Sequence, residues 1–305
     1  MPRLSVNGLI AQVTNTVTRN WAVKFARRVK RIMVAKIMVW LRYLTLLFLL
    51  CWISLFSIPA SGQTESDVQR YIESGQYQQA FELGREMKTA DSLSVASEAL
   101  ARQIMLGESD SPQLMAKQAR DLAQRALKLN PDHPNARLQF VVTDGFVARY
   151  TGDVAAWFKK LPQKSLEYIQ AYRTDFPQEA RGDALMGAWH LEIARKAGAE
   201  NGEKWFGARI DYGKGFFEQA LQRDPTDSIM RVNYAFALIA LSHEGAIKEG
   251  DLERAKSILA NLKLEENSDD LSQKMFQKAK IAESLFEDPD ALKGYVNAFL
   301  EGEPT

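Results

Sequence analysis

Cysteine, histidine and strand-like alternation are all scarce in this sequence, and each scarcity closes a class of function. The only cysteine, Cys51, sits in an apolar run near the N-terminus, so the chain after that run has no thiol. Such a body suits an oxidising compartment, and a core of this size folds without a disulfide framework. Three histidines, His133, His190 and His243, stand far apart, and none falls in a metal-binding pattern. His133 lies in a polar turn and is expected to face solvent. His190 follows Trp189 on the apolar stripe Leu185, Trp189 and Ile193, where a packed structural histidine is expected. Sustained alternation bounded by hairpin turns is missing, which leaves an all-α chain. Gly207 to Gly215 lacks the hydroxyl residue and the spacing of a phosphate loop.

Acidic residues are also unevenly spread. The chain holds 39 Lys and Arg against 38 Asp and Glu, yet residues 1–62 contain nine of the basic residues and no acidic one. The remainder therefore carries 30 basic against 38 acidic residues, a balance that argues against nucleic acid and anionic lipid as partners. Within the leader, seven basic residues from Lys24 to Arg42 precede an uncharged run from Tyr43 to Ile58, followed by Pro59, Ala60, Ser61 and Gly62. That order reads as a secretory signal peptide ending near Gln63, with an uncleaved anchor as the alternative. Leu50 is too bulky for Cys51 to be a lipoprotein cysteine, and Met33 or Met38 is a more natural start for a leader of ordinary length. In both cases the body is expected in the periplasm or at the outer face of the inner membrane, touching the membrane only through its N-terminal segment and only if that segment is uncleaved. The expected division is residues 1–62 as leader and residues 63–305 as one helical domain.

The body contains a stretch that occurs twice, 94 positions apart. Ala119, Ala123, Ala126 and Pro131 follow one another at steps of four, three and five, and Gly213, Phe217, Ala220 and Pro225 repeat those steps. Small residues at steps of four and three share one helical face and let a neighbouring helix approach. Asn130 and Asp224 before the prolines end one helix, and a polar turn starts the next. Tyr71, Gly75, Tyr77 and Ala80 mark another hairpin, and Gly250, Asp251, Leu252 and Ala255 repeat its turn, as Gly152, Asp153 and Val154 do more loosely. This pattern resembles the tetratricopeptide repeat family, which implies helical hairpins stacked into an α-solenoid. Pro131, Pro177 and Pro225 are 46 and 48 residues apart, so the array is irregular and lengthened by insertions. Helices are expected at about 66–74, 77–88, 91–106, 111–129, 134–150, 153–160, 163–174, 178–197, 205–222, 227–243, 251–263, 268–286 and 289–300. One insertion, Lys196 to Lys214, carries four glycines around Trp205 and Phe206 and reads as a lid, a docking loop or a long connection. Asp288 to Thr305 is amphipathic enough to cap the array.

No cofactor or catalytic constellation emerges. Glu98 and Glu192, weighed as the raised-pKa acid of a glycan-cleaving enzyme, lie on ordinary amphipathic helices. Binding is the stronger expectation. By the resemblance, the first helix of each hairpin lines a concave groove, which puts Leu138, Gln139, Val142, Phe146, Arg181, Ile229, Asn233 and Phe236 on it. Val232 to Leu241 is almost wholly apolar, the mark of a helix buried on all sides. The expected function is therefore a non-catalytic exported scaffold holding a protein or peptide partner. The alternative is a periplasmic solute-binding component of an uptake system, with a small apolar or acidic ligand in a cavity lined by Arg181, Trp189, Trp205 and Phe206. A deep pocket favours the second and an open groove the first.

Overall fold

Residues 64–243, 245 and 249–305 are described by the structure, a computed structural model, and among them there are fourteen α-helices and no strand. The signal or anchor segment and Cys51 lie outside the described residues, as does the side chain of His243. No helix among the described residues is long and apolar enough to cross a membrane. The helices are α1 (Glu65–Glu73), α2 (Tyr77–Met87), α3 (Ala90–Leu106), α4 (Pro112–Leu129), α5 (Pro134–Arg149), α6 (Asp153–Phe158) and α7 (Leu161–Asp175). They continue with α8 (Ala180–Ala197), α9 (Ala199–Phe206), α10 (Ile210–Arg223), α11 (Ser228–His243), α12 (Glu249–Ala260), α13 (Asp270–Ser284) and α14 (Pro289–Glu301).

The twice-occurring stretch builds the same turn twice. After α4 the Asn130 Oδ1 accepts the Asp132 amide at 3.2 Å, and after α10 the Asp224 Oδ1 accepts the Thr226 amide at 3.2 Å. Arg137 then donates back to the Pro131 carbonyl at 2.7 Å, and Arg231 to the Pro225 carbonyl at 2.8 Å. Even the start of the second helix corresponds: His133 Nδ1 accepts the Ala136 amide, and Asp227 Oδ1 accepts the Met230 amide at the equivalent place. Both side chains thus satisfy a backbone donor that a helix start leaves unpaired. His133 is accordingly buried, not solvent-facing, and its Nε2 lies 2.8 Å from Asp91 Oδ1.

Small residues set the close approaches. Ala119, Ala123 and Ala126 are fully buried where α4 packs between α3 and α5. Between α8 and α10 the contact rests on two glycines: a methyl group on Gly187 would lie 2.6 Å from Phe217, and one on Gly213 2.6 Å from Leu191. Two buried ionic knots hold the crossings in register. Asp183, on α8, pairs with Arg173 of α7 at 2.7 Å and Arg223 of α10 at 2.8 Å, and Asp144 of α5 with Arg120 of α4 at 2.8 Å.

Neighbours in sequence are mostly neighbours in space, and the last helices return to the first. Tyr77 at the start of α2 donates to Asp270 of α13 at 2.7 Å, Arg102 of α3 pairs with Asp269 at 2.6 Å, and Lys274 with Glu108 at 2.8 Å. Gly75, at a φ of +75°, passes so close to Asp270 that no side chain fits there. The C-terminal segment does not lie on one end of an array as a cap. It turns inward, where Phe299 of α14 meets Phe236 edge-on at 4.9 Å and Glu301 is bound by Arg195 and Lys196 of α8.

Two expected boundaries differ. The helix expected from residue 205 starts at Ile210, because Ala199–Phe206 forms its own helix, α9, whose Gly202 packs against Ala194 of α8. Gly250 lies inside the first turn of α12 and not in the turn before it. Phe236 belongs to the core: it is fully buried among α11, α13 and α14. Phe236→Ala is expected to lower the unfolding free energy by about 3–5 kcal/mol in chemical denaturation, the cost of an aromatic-sized cavity. A loss below about 1 kcal/mol would place the ring outside the core.

Candidate functional site

One face of α8 forms the wall of a long cavity. Arg181, Ala184, Leu185, Ala188, Trp189, Glu192, Ile193 and Lys196 line it in turn, at alternating steps of three and one. Those steps keep every side chain on one side of the helix. From Arg181 to Lys196 the wall runs about 22 Å at 1.5 Å per residue. The opposite walls come from α3, which supplies Glu98, Ala101, Arg102 and Met105, and from α5, with Leu138, Gln139, Val142 and Phe146. The first turn of α11, with Ser228, Ile229 and Asn233, closes one end. The volume, partly open to solvent, is about 1090 Å³, against the roughly 300–1,000 Å³ common for small-molecule pockets.

Seven of the eight groove residues read from the sequence line this one cavity, Phe236 being the exception, and so do Trp189, Trp205 and Phe206. The cavity is chemically graded along α8. Its middle is aliphatic and aromatic, with Leu138, Val142, Phe146, Ile169 and Leu185. The end by the C-terminal half of α8 is aromatic. Trp189 is buried and fixed by a hydrogen bond from its Nε1 to the Pro162 carbonyl at 2.9 Å. Trp157 and Phe158 of α6 and Trp205 of α9 stand 54%, 73% and 56% exposed at this end. The insertion between α8 and α10 therefore contributes a short helix carrying two lining aromatics. Sequence inspection missed α6 as a source of lining, since a single helical turn has too few residues to show a periodic face.

The other end is polar. Arg102 lies between Glu98, at 2.6 Å, and Asp269, also at 2.6 Å, and Glu98 further accepts from Asn135 at 3.1 Å. Arg181 Nε donates to Asp227 Oδ2 at 3.2 Å. Burial opposes the charge of Arg181, but the carboxylates of Asp227 and Glu98 outweigh it and hold the guanidinium protonated more firmly than usual. Arg102, Asp227, Asp269 and Ser228 were not singled out in the sequence. They meet only because three helix starts, those of α8, α11 and α13, converge there. Of the two carboxyls considered for catalysis, Glu98 is engaged as described and Glu192 is held by Arg195 at 2.9 Å.

His190 is on the neighbouring face of α8, outside the cavity. Its ring stacks on Phe216 at 5.8 Å, and Nδ1 accepts the Arg209 amide at 3.1 Å, which fixes the connection from α9 to α10. Burial favours the neutral ring and pushes its pKa below the ordinary 6.5. The unfolded chain therefore takes up this proton first on acidification. Its contribution is fully present above about pH 6.5 and is lost as pH falls through the lower folded value. Comparing wild type with His190→Gln by denaturation at several pH values is expected to show the wild type losing stability faster between neutral and acidic pH. Parallel curves would refute this.

Neither a family model nor a curated protein matches the chain, so the tetratricopeptide resemblance rests on the residues of its hairpins.

Proposed function

We propose that this chain is a non-catalytic binding protein of tetratricopeptide-like construction, exported by its leader, that holds an elongated amphipathic molecule along α8. The observation that carries the reading is the unbroken wall from Arg181 to Lys196, with charged groups at both ends, an apolar middle, and aromatic rings gathered at the Lys196 end. The wall borders a volume of about 1090 Å³ between helices on several sides, partly open to solvent and of a size that suits a small-molecule site. Support for the repeat assignment comes from the two turns at Asn130 and Asp224, which match in the Asx hydrogen bond, the returning arginine and the helix-starting side chain. By this reading the protein works as the solute-holding component of an uptake or transfer system.

A specific observation also favours the protein-scaffold reading. Val154, Trp157, Phe158 and Trp205 form exposed apolar surface beside the aromatic end, the kind of surface a protein partner covers. The two readings separate cleanly. Ala188 lines the middle of the cavity, so Ala188→Trp fills the void without touching the outer surface. Native mass spectrometry with a panel of single-chain amphiphiles is expected to show one bound per wild-type chain and binding weakened at least about tenfold in the variant, with unchanged circular dichroism. If no amphiphile binds, and a protein captured from periplasmic extract is lost in a Trp157→Ala, Phe158→Ala variant instead, the scaffold reading replaces this one.

A further inference from the structure

Resting on the reading of the cavity as a binding site, we infer that the bound molecule is a long-chain monocarboxylate, with its carboxylate on the terminal nitrogens of Arg181 and its chain along α8 toward Trp189 and Trp205. At the charged end most polar atoms of the helices are already spent. Glu98 accepts from Arg102 and Asn135. Asp269 accepts from Arg102 and the Ser272 amide. Asp227 accepts from Arg181 Nε and the Met230 amide, and Asp224 from the amides of Thr226 and Asp227. These four carboxylates are engaged by arginines, Asn135 and helix starts, and what the helices leave over is donor capacity; Lys263 and Glu265, exposed on the connection before α13, also line the cavity.

That capacity is concentrated on Arg181. Only its Nε is bonded; among the described residues its two terminal nitrogens meet no acceptor, and its side chain keeps 47% of its surface open while lining the cavity. Arg102 offers nothing comparable, because its Nε and both terminal nitrogens are taken by Glu98 and Asp269. One residue beyond Asp227, the buried Ser228 hydroxyl has no partner either, and Ser228 lines the same end. A planar guanidinium edge with two free nitrogens is matched by a planar anion with two oxygens, which it binds through parallel hydrogen bonds. The starts of α8 and α11 add positive potential at the same place. Beyond the headgroup the lining along α8 is mainly apolar, through Leu185, Ala188 and Phe146 to Trp189, with Glu192 and Lys196 following only in its last turns, so the stretch next to the headgroup is an apolar chain.

The probes are palmitate, hexadecanol and hexadecyltrimethylammonium, with affinities from titration calorimetry on wild type, Arg181→Gln and Arg181→Lys. Wild type is expected to prefer palmitate over hexadecanol, and Arg181→Gln to reduce that ratio roughly 10- to 100-fold, the worth of a hydrogen-bonded charge pair. Arg181→Lys keeps the charge without the fork and falls between the two. Thermal melts establish that each variant is folded, and the lysine variant keeps the test decisive should the glutamine variant not be. Equal binding of palmitate and hexadecanol, or an unchanged ratio in Arg181→Gln, overturns the headgroup assignment while leaving the cavity a binding site. Tighter binding of the quaternary ammonium overturns it in favour of the surrounding carboxylates. If none of the probes binds, the cavity reading fails as well, whereas a probe that binds wild type and is weakened by Ala188→Trp shows that only the headgroup assignment was wrong.

Discussion

Burial of α11 on every side is the constraint on which the rest of the structure depends. From Val232 to Leu241 nearly every residue is apolar, and Val232, Ala235, Phe236, Leu238, Ile239 and Leu241 have no exposed surface. A helix with no polar face cannot lie on a surface, so α8, α10, α12, α13 and α14 must surround it. That requirement bends a run of hairpins into a closed arrangement, in which α13 comes back against α1 and α14 fills the space beside Phe236. The cavity follows as a consequence. The first two turns of α11, where Ser228, Ile229 and Asn233 stand, also face the space between α3, α5 and α8.

Hydrophobic burial fixes how much is covered but not which helix meets which, and the ionic contacts supply that register. Asp183 joins three helices through Arg173 and Arg223, and Glu301 ties the last turn of α14 to Arg195 and Lys196. Buried carboxylates of this kind add little net stability, since desolvation offsets most of the Coulomb gain; an arrangement that left one unpaired would be strongly disfavoured. The same logic governs the polar end of the cavity. The carboxylates of Glu98, Asp224, Asp227 and Asp269 are spent on helix starts, Asn135 and the two arginines, and of those arginines Arg181 alone has terminal nitrogens without an acceptor among the described residues.

Much of the hairpin architecture was legible because its causes are local. A proline five residues after a buried alanine, with Asn or Asp before it, stops a helix wherever it occurs, and Asn130 and Asp224 do so alike. The groove residues from Leu138 to Phe146 were also legible, since a helical face is a property of spacing. Phe236 was not: on a helix buried all round, spacing distinguishes no face. His133 misled for the opposite reason. Its neighbours are polar, yet the ring is turned in to hold the Ala136 amide and Asp91, a contact across 42 positions. The glycines of residues 198–213 suggested an irregular loop, but Gly202 is there for its small size, letting α9 lie against Ala194.

What the sequence determined by itself is therefore the all-helical class, the places where helices turn back, and the identity of the helix that had to be central. Each is set by interactions within a few residues, or by composition, and needs no knowledge of the neighbours. Only the tertiary structure decided that the C-terminal helices return to the first hairpin, and that α6 and α9 bring Trp157 and Trp205 to the same end of one cavity. It also decided that Arg181, unlike Arg102 beside it, keeps its outer nitrogens free among the described residues. Those outcomes depend on which distant side chains reach one another first and are satisfied. A pairing such as Arg102 with Asp269, across 167 positions, has no trace in local spacing.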